Sequence, residues 1–166
     1  MVDPWQTTVW DSCGLERIEQ AGLSHRLTFY GAPSYQQLPR FLEQQRSFDF
    51  AFIDGQHLVD YVLLDCFYAD LLIPVGGALA LDDIWMPSVR KVARFLLSNR
   101  GYGIVDYTNR WLGGRRAPPR LRALIEWALR CRYGAAMVRP MFRFEGLLYV
   151  QKTHQDARAW DWYRDF

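Results

Sequence analysis

Hydrophobic and polar positions along this chain follow two rhythms, one of helical period and one of short continuous apolar runs. Leu15 and Ile18 mark a helix over Gly14 to Ala21, with Gly22 placed to close it in a left-handed turn. Leu27 to Tyr30 reads as a short strand leaving through the turn Gly31-Ala32-Pro33-Ser34. Ser34 can cap a helix to about Gln45 with Leu38, Phe41 and Leu42 inward; Pro39 belongs near its start. Phe48 to Ile53 is apolar without strict alternation, which predicts a strand buried on both faces of a parallel sheet. Leu58 to Ile73 is the clearest helix, with an inward stripe of Val59, Val62, Leu63, Cys66, Phe67 and Leu71. Pro74 and Gly76-Gly77 end it, and Ala78 to Leu81 is the next strand.

A helix opening at Pro87 or Ser88 runs to Asn99, buried through Val89, Val92, Ala93 and Leu96. Tyr102 to Tyr107 is a strand, Trp111 to Pro119 a loop, and Leu121 to Cys131 a helix. Met141 to Lys152 holds a strand pair or one long strand broken at Gly146, and the aromatic tail Ala159 to Phe166 has no assignment. Strands alternating with helices predict an α/β fold with a mainly parallel sheet, and the last strand is expected at an antiparallel edge. One domain over residues 1–166 is expected from the length.

Composition narrows the setting. Half of the residues are hydrophobic, enough for a core, and a net charge of +2 argues for no particular partner. Cys13, Cys66 and Cys131 lack metal-type spacing and read as free thiols of a reducing compartment. No apolar run reaches the roughly 18 residues of a membrane span, and the start lacks a signal pattern, so a cytoplasmic protein is expected. The arginines from Arg110 to Arg143 could meet an anionic substrate or nucleic acid; without a nucleic-acid motif they read as a solvated helix face and loop.

Candidate chemistry gathers where two strands end. Asp54 and His57 follow the strand at Phe48 to Ile53, and Asp82-Asp83 follow Ala78 to Leu81. Two strands joined by one helix are neighbours, which places all four residues on one rim, and open α/β sheets bind ligands outside the carboxyl ends of their strands. Three carboxylates there repel unless compensated, and a hard divalent cation such as Mg²⁺ compensates them. The alternative is that Asp82 or Asp83 caps the following helix while Asp54 orders the turn at Gly55. His57 suits a general base, or else bonds backbone or the neighbouring acids.

The strings Asp3-Pro4-Trp5-Gln6, Gly14-Leu15, Ala21-Gly22-Leu23, Gly31-Ala32-Pro33-Ser34, Phe48 to His57, Gly76-Gly77 and Asp82-Asp83 stand in a recognisable order. In this set the chain resembles a class I S-adenosylmethionine-dependent methyltransferase, of the branch with catechol-type and sugar O-methyltransferases. The resemblance implies a Rossmann-like three-layer sandwich with an antiparallel C-terminal strand. It implies methyl transfer from S-adenosylmethionine to a small-molecule hydroxyl, with His57 and Asp54 catalytic. It implies cofactor contacts from Asp3 (ribose), Gly31, Ala32 and Ser34 (adenine edge) and Asp54, and Mg²⁺ held by Asp54, Asp82 and Asp83. Phe52, Trp85 and Met86 could wall the pocket, although aromatics at such spacing are more often core.

The same resemblance leaves the family's first strand and glycine-rich cofactor loop unmatched, so the fold is expected to be incomplete at its N-terminal half. A bare edge on the strand at Phe48 to Ile53 would follow. One of three repairs is expected: pairing of Leu27 to Tyr30 with that strand, a homo-oligomer joined edge to edge, or a companion chain. Asp3, so close to the N-terminus, is expected to fray. A non-catalytic methyltransferase-like binding module, or a fragment of a longer enzyme, is the alternative function.

Overall fold

A computed structural model describes residues 1–107 and 146–166 of the chain. The loop at Trp111 to Pro119, the helix at Leu121 to Cys131, residues 141–145 and the arginines from Arg110 to Arg143 lie outside the described residues. The chain packs as two compact units, Met1–Arg46 and Ser47–Phe166.

The first unit holds α1 (Cys13–Gln20), a single 3-10 turn at Ser24–Arg26 and α2 (Ser34–Glu43). Gly22 closes α1 as expected. It has φ 71°, and the Leu23 N–H reaches back to the Ile18 carbonyl at 2.9 Å. Leu27 to Tyr30 does not form a strand. Its only ladder contact is an isolated parallel bridge between Val2 and Tyr30, because one neighbouring segment of two or three residues supplies too few partners. That bridge also corrects the expected fraying of the N-terminus. The terminal ammonium donates to the Thr28 carbonyl at 2.8 Å, Tyr30 N–H to Met1 O at 2.9 Å, and Asp3 N–H to Tyr30 O at 3.1 Å. Ser34 is the first residue of α2 and makes no capping bond; Pro33 precedes it in the cap position. Pro39 sits inside α2, further in than its chemistry suggests.

The second unit is built on β1 (Phe50–Ile53), α3 (Val59–Leu72), β2 (Ala78–Leu81), α4 (Pro87–Asn99), β3 (Tyr102–Tyr107) and β4 (Leu148–Lys152). The four strands lie in the order β1-β2-β4-β3. β1 and β2 are parallel with Ile53 opposite Leu81, and β4 is antiparallel to both its neighbours. β3 therefore runs with β1 and β2, and the sheet is mixed and mainly parallel, the Rossmann-like arrangement expected. β4 is not an edge strand, however. It is inserted between β2 and β3, where both its ladders are filled.

Leu79, Leu81, Leu148, Val150, Val62, Cys66, Val92, Ala93 and Leu96 form the core between the sheet and the helices α3 and α4. Ala51 and Ile53 pack against it, so Phe50 and Phe52 point to the other face and are 51% and 53% exposed. Among the described residues β1 is thus an edge strand with one covered face, not the doubly buried strand its composition suggests. α3 differs likewise. Val62, Cys66, Ala69 and Leu72 are buried, whereas Val59, Leu63, Phe67 and Leu71 are exposed. Nearly every turn of that helix is apolar, so spacing alone does not select the inner stripe. The glycine pair ending α3 has a packing reason at Gly77, where a Cβ would stand 2.5 Å from Ile73 Cγ2 and 3.0 Å from Asp49 O.

Beneath α3 lies a charged cluster that the pattern did not announce. Asp70 is 1% exposed and accepts from Tyr102 Oη at 2.9 Å and from Arg100. Lys152 Nζ stands 3.2 Å from the same carboxylate and donates to the carbonyls of Asp70 and Ile73 at 2.7 and 3.1 Å. Asp156 bridges Arg100 and Arg158 and ties the start of the C-terminal tail to this cluster. The tail's end packs on α4, with Phe166 edge-on to Phe95 at 5.1 Å and Arg158 over the rings of Phe95 and Trp162.

Candidate functional site

Parallel pairing of β1 and β2 sets the site. With Ile53 opposite Leu81, the next residues, Asp54 and Asp82, leave the sheet side by side, and Asp82 N–H is bonded to Ile53 O at 3.0 Å. Polar residues are favoured here because the ladder ends and backbone groups turn toward water.

Asp82 then serves the turn. Its Oδ1 accepts the N–H of Asp83 at 2.8 Å and stands 3.0 Å from where a Cβ on Gly146 would be. Asp83 is left-handed, φ 50°, a conformation that costs a non-glycine residue about 1–3 kcal/mol and persists only where neighbours determine it. Here they do. Asp83 O accepts from Met86 N–H at 2.8 Å, the fully buried Ile84 donates to Gly146 O at 3.2 Å, and Trp85 Nε1–H donates to Asp83 Oδ1 at 2.7 Å. The second carboxylate oxygen, Oδ2, is left facing His57.

His57 lies in the loop before α3. Its main chain is anchored from α4 by Ser88, whose hydroxyl donates to the His57 carbonyl at 2.5 Å. Nε2 stands 3.0 Å from Asp83 Oδ2 and 3.7 Å from Asp54 Oδ1. That nitrogen is shielded from solvent and completes no hydrogen bond of good alignment, although it sits between two carboxylates. Asp54, Asp83 and His57 each present one ligand atom within 4.8 Å of the others. Partial burial pushes the Asp54 carboxyl above its ordinary range, repulsion from Asp82 and then Asp83 adds to this, and His57 opposes it.

Of the residues read from the sequence, then, the rim joins Asp54, His57 and Asp83, with Asp82 beside them but committed to the turn. Asp3, Gly31, Ala32 and Ser34 belong to the first unit. Asp3 is held there by both oxygens: Oδ1 accepts from Trp5 N–H and Oδ2 from Gln6 Nε2, each at 2.9 Å. Gln6 Oε1 in turn accepts the Gly14 N–H at 2.9 Å, so the Asp3 carboxylate is oriented from the start of α1. Phe52 is 53% and Trp85 50% exposed, and Met86 packs against the core. Two supports escaped the sequence reading. Ser88 reads as a helix-start residue but holds His57, and Trp85 reads as a wall but holds Asp83.

The donor set fits a cation in one respect. A shielded imidazole nitrogen without a completed bond, facing two acid oxygens, is an arrangement that a divalent ion satisfies. The grouping is two acids and a histidine; Asp82, the third acid of the expected set, stands beside it with Oδ1 accepting the Asp83 N–H.

The family model described as a methyltransferase domain matches residues 1–84, from the first residue through Ile84. A search of curated proteins returns no match. Among the described residues no helix is long and apolar enough to cross a membrane.

Proposed function

The chain belongs to the methyltransferase-domain family, and from that premise we propose that it transfers the methyl group of S-adenosylmethionine to a hydroxyl of a small molecule. The observation that carries this reading is the pairing of His57 with Asp83 at the ends of two adjacent parallel strands, beside Asp54. In the reaction the acceptor oxygen attacks the methyl carbon, the carbon–sulfur bond breaks, and S-adenosylhomocysteine leaves. The hydroxyl proton goes to His57. Nε2 is turned into the acid pair, so from this conformation the proton falls to Nδ1, with Asp83 stabilising the imidazolium that results. Asp54 and Asp83 make the rim acidic, which favours neutral or cationic acceptors over anionic ones.

Metal assistance is the second form of the same proposal. A divalent ion such as Mg²⁺ held by Asp54, His57 and Asp83 would lower the pKa of an acceptor hydroxyl and aim its oxygen. For the donor, Asp3 is the ribose ligand and Gly31, Ala32 and Ser34 are the adenine-edge turn of the first unit; what supports this is that Trp5 N–H and Gln6 Nε2 fix the orientation of the Asp3 carboxylate, while each oxygen keeps a further lone pair for a hydroxyl. The methionine end of the donor is left to residues other than these. A cytoplasmic setting suits the free thiols of Cys13 and Cys66.

Calorimetry with S-adenosylhomocysteine, followed by labelled methyl transfer to a panel of phenols and sugars, tests the reading. Binding and transfer that falls by about 10²–10⁴ in His57→Ala are expected. No binding at millimolar ligand, or undiminished transfer by His57→Ala, overturns it.

A second reading, a methyltransferase-like module that joins a second copy or a companion chain without catalysis, is favoured by β1. Among the described residues it is an edge strand, it has no lysine or proline, and Phe50 and Phe52 are half-exposed on it. Under it, light scattering shows a mass above that of one chain, and Phe52→Lys reduces that mass to the monomer's. A monomer at all concentrations removes the second copy, and methyl transfer lost in His57→Ala removes the non-catalytic reading as a whole.

A further inference from the structure

We propose that Trp85 is a positioning residue of this site, acting through Asp83 on His57. This rests on the reading of the rim as the site of chemistry, but it is tested without cofactor or acceptor.

Three features of Trp85 carry the inference. Its indole is 50% exposed, so burial does not explain its place. The side chain is nonetheless fixed at its edge, because Nε1–H donates to Asp83 Oδ1 at 2.7 Å, a charge-assisted bond. Its main chain is fixed as well, the Trp85 carbonyl accepting from Arg90 Nη1 at 3.0 Å within the first turn of α4. An exposed indole whose N–H is bonded to a carboxylate, on a main chain that is itself held, is placed for the sake of the group that it touches.

That group is Asp83, and the choice of oxygen matters. An unrestrained carboxylate rotates and offers either oxygen to any donor. With Oδ1 taken by the indole, Oδ2 is the oxygen presented to His57 Nε2 at 3.0 Å. The Nε2–H tautomer of His57 is the one that this 3.0 Å approach to Asp83 Oδ2 favours, and it leaves the Nδ1 lone pair for an acceptor hydroxyl. Where a cation is bound instead, the same fixed Oδ2 is its ligand. The left-handed backbone of Asp83 belongs to this device. Its N–H donates to Asp82 Oδ1, its carbonyl accepts from Met86 N–H and its Oδ1 accepts from the indole, so main chain and carboxylate are held together.

The test is nitrogen-15 NMR of the full chain. Substitution by Trp85→Phe assigns the indole resonance. In the wild type this N–H is expected downfield of a free indole and slow to exchange; in Asp83→Asn it moves toward the free value. Long-range spectra of the His57 ring are expected to show one dominant Nε2–H tautomer in the wild type. In Trp85→Phe they should show a mixture approaching that of a free imidazole, with the melting temperature changed by less than about 2 °C. Trp85→Leu repeats the loss with a different shape, and Trp85→His, which restores a ring N–H, should recover part of the tautomer bias. Unchanged His57 ring shifts in both Trp85→Phe and Trp85→Leu overturn the proposal, as does an indole signal indifferent to Asp83. Failure of methyl transfer with these spectra as expected would remove the proposed reaction and leave the positioning intact.

Discussion

Asp70→Asn is the substitution whose cost the structure fixes best. It removes one negative charge at nearly constant shape from a site that is 1% exposed. Two cations are left behind, Arg100 at 6% and Lys152 at 3% exposure. Arg100 retains Asp156, and Lys152 retains the two carbonyls at 2.7 and 3.1 Å, so neither is wholly orphaned. A unit-charge pair at this separation is worth about 4 kcal/mol at an effective dielectric of 20, and breaking a buried pair from one side costs about 3–5 kcal/mol. The retained partners place Asp70→Asn at the lower end, about 3 kcal/mol. For a chain of this size that is a fall of about 6–12 °C in melting temperature. Calorimetry or circular dichroism measures it, with Lys152→Met and the double variant completing a thermodynamic cycle. The double variant should cost less than the sum of the singles by more than about 1 kcal/mol, since Lys152→Met removes a charge that Asp70→Asn strands. A shift below about 3 °C, or additive costs, would show that the cluster is not an energetic unit.

Asp54 behaves in the opposite sense. Its carboxyl titrates above the ordinary range, so the folded state holds its proton more tightly than the unfolded one, and Asp54 costs stability as pH rises through that range. Asp54→Asn should raise the melting temperature at pH 7 by a degree or two, the half-exposed group being screened, and have no effect well below pH 4; a loss at pH 7 contradicts the sign. Asp156 is held down to about 2 by its bonds to Arg158, so its contribution is present above the ordinary carboxylate range and lost as pH falls from about 4 toward 2. Acid titration of Asp156→Asn should therefore lack that part of the unfolding seen in the wild type. Gly77→Ala places a methyl 2.5 Å from Ile73 Cγ2 and should cost about 1–3 kcal/mol by denaturant titration. Mn²⁺ in place of Mg²⁺ should raise the melting temperature of the wild type and not of Asp83→Ala if the rim holds a cation; equal shifts place the ion elsewhere.

What the sequence makes legible here is tied to strong local punctuation. Ala78 to Leu81 and Pro87 to Asn99 are bounded by Gly76-Gly77, Asp82-Asp83 and Pro87, and both elements appear where the pattern places them. The neighbouring of Asp54 and Asp82 was legible too, because one crossover helix between two strands leaves little choice of topology. Facing was not. Phe50, Phe52, Leu63 and Phe67 are apolar and exposed, and no periodicity distinguishes them from Ala51, Val62 or Cys66, which the core takes. The position of β4 was hidden for another reason. A hairpin partner of β3 can lie on either side of it, and only its pairing with β2 decides that it fills the interior. The Asp70 cluster joins residues 70, 100, 102, 152 and 156, separations that no local spacing encodes.

The division of labour between Asp82 and Asp83 follows from the sheet. β2 ends in register with β1, and β4 enters its other side antiparallel, with Leu148 opposite Leu81. The chain leaving β2 is therefore hemmed in by Ile53 O on one side and Gly146 on the other, and both ladder ends are met by backbone groups at Asp82 and Ile84. A residue placed between two such fixed points has little freedom of φ, and Asp83 takes the left-handed conformation that connects them. The first acid then has to satisfy the N–H that this turn would otherwise expose, which Asp82 Oδ1 does. Only the second acid is free to reach across to His57. Asp82→Asn is accordingly milder for chemistry than Asp83→Asn, because an amide oxygen still accepts the turn's N–H, whereas an amide at position 83 no longer presents a charge to the imidazole.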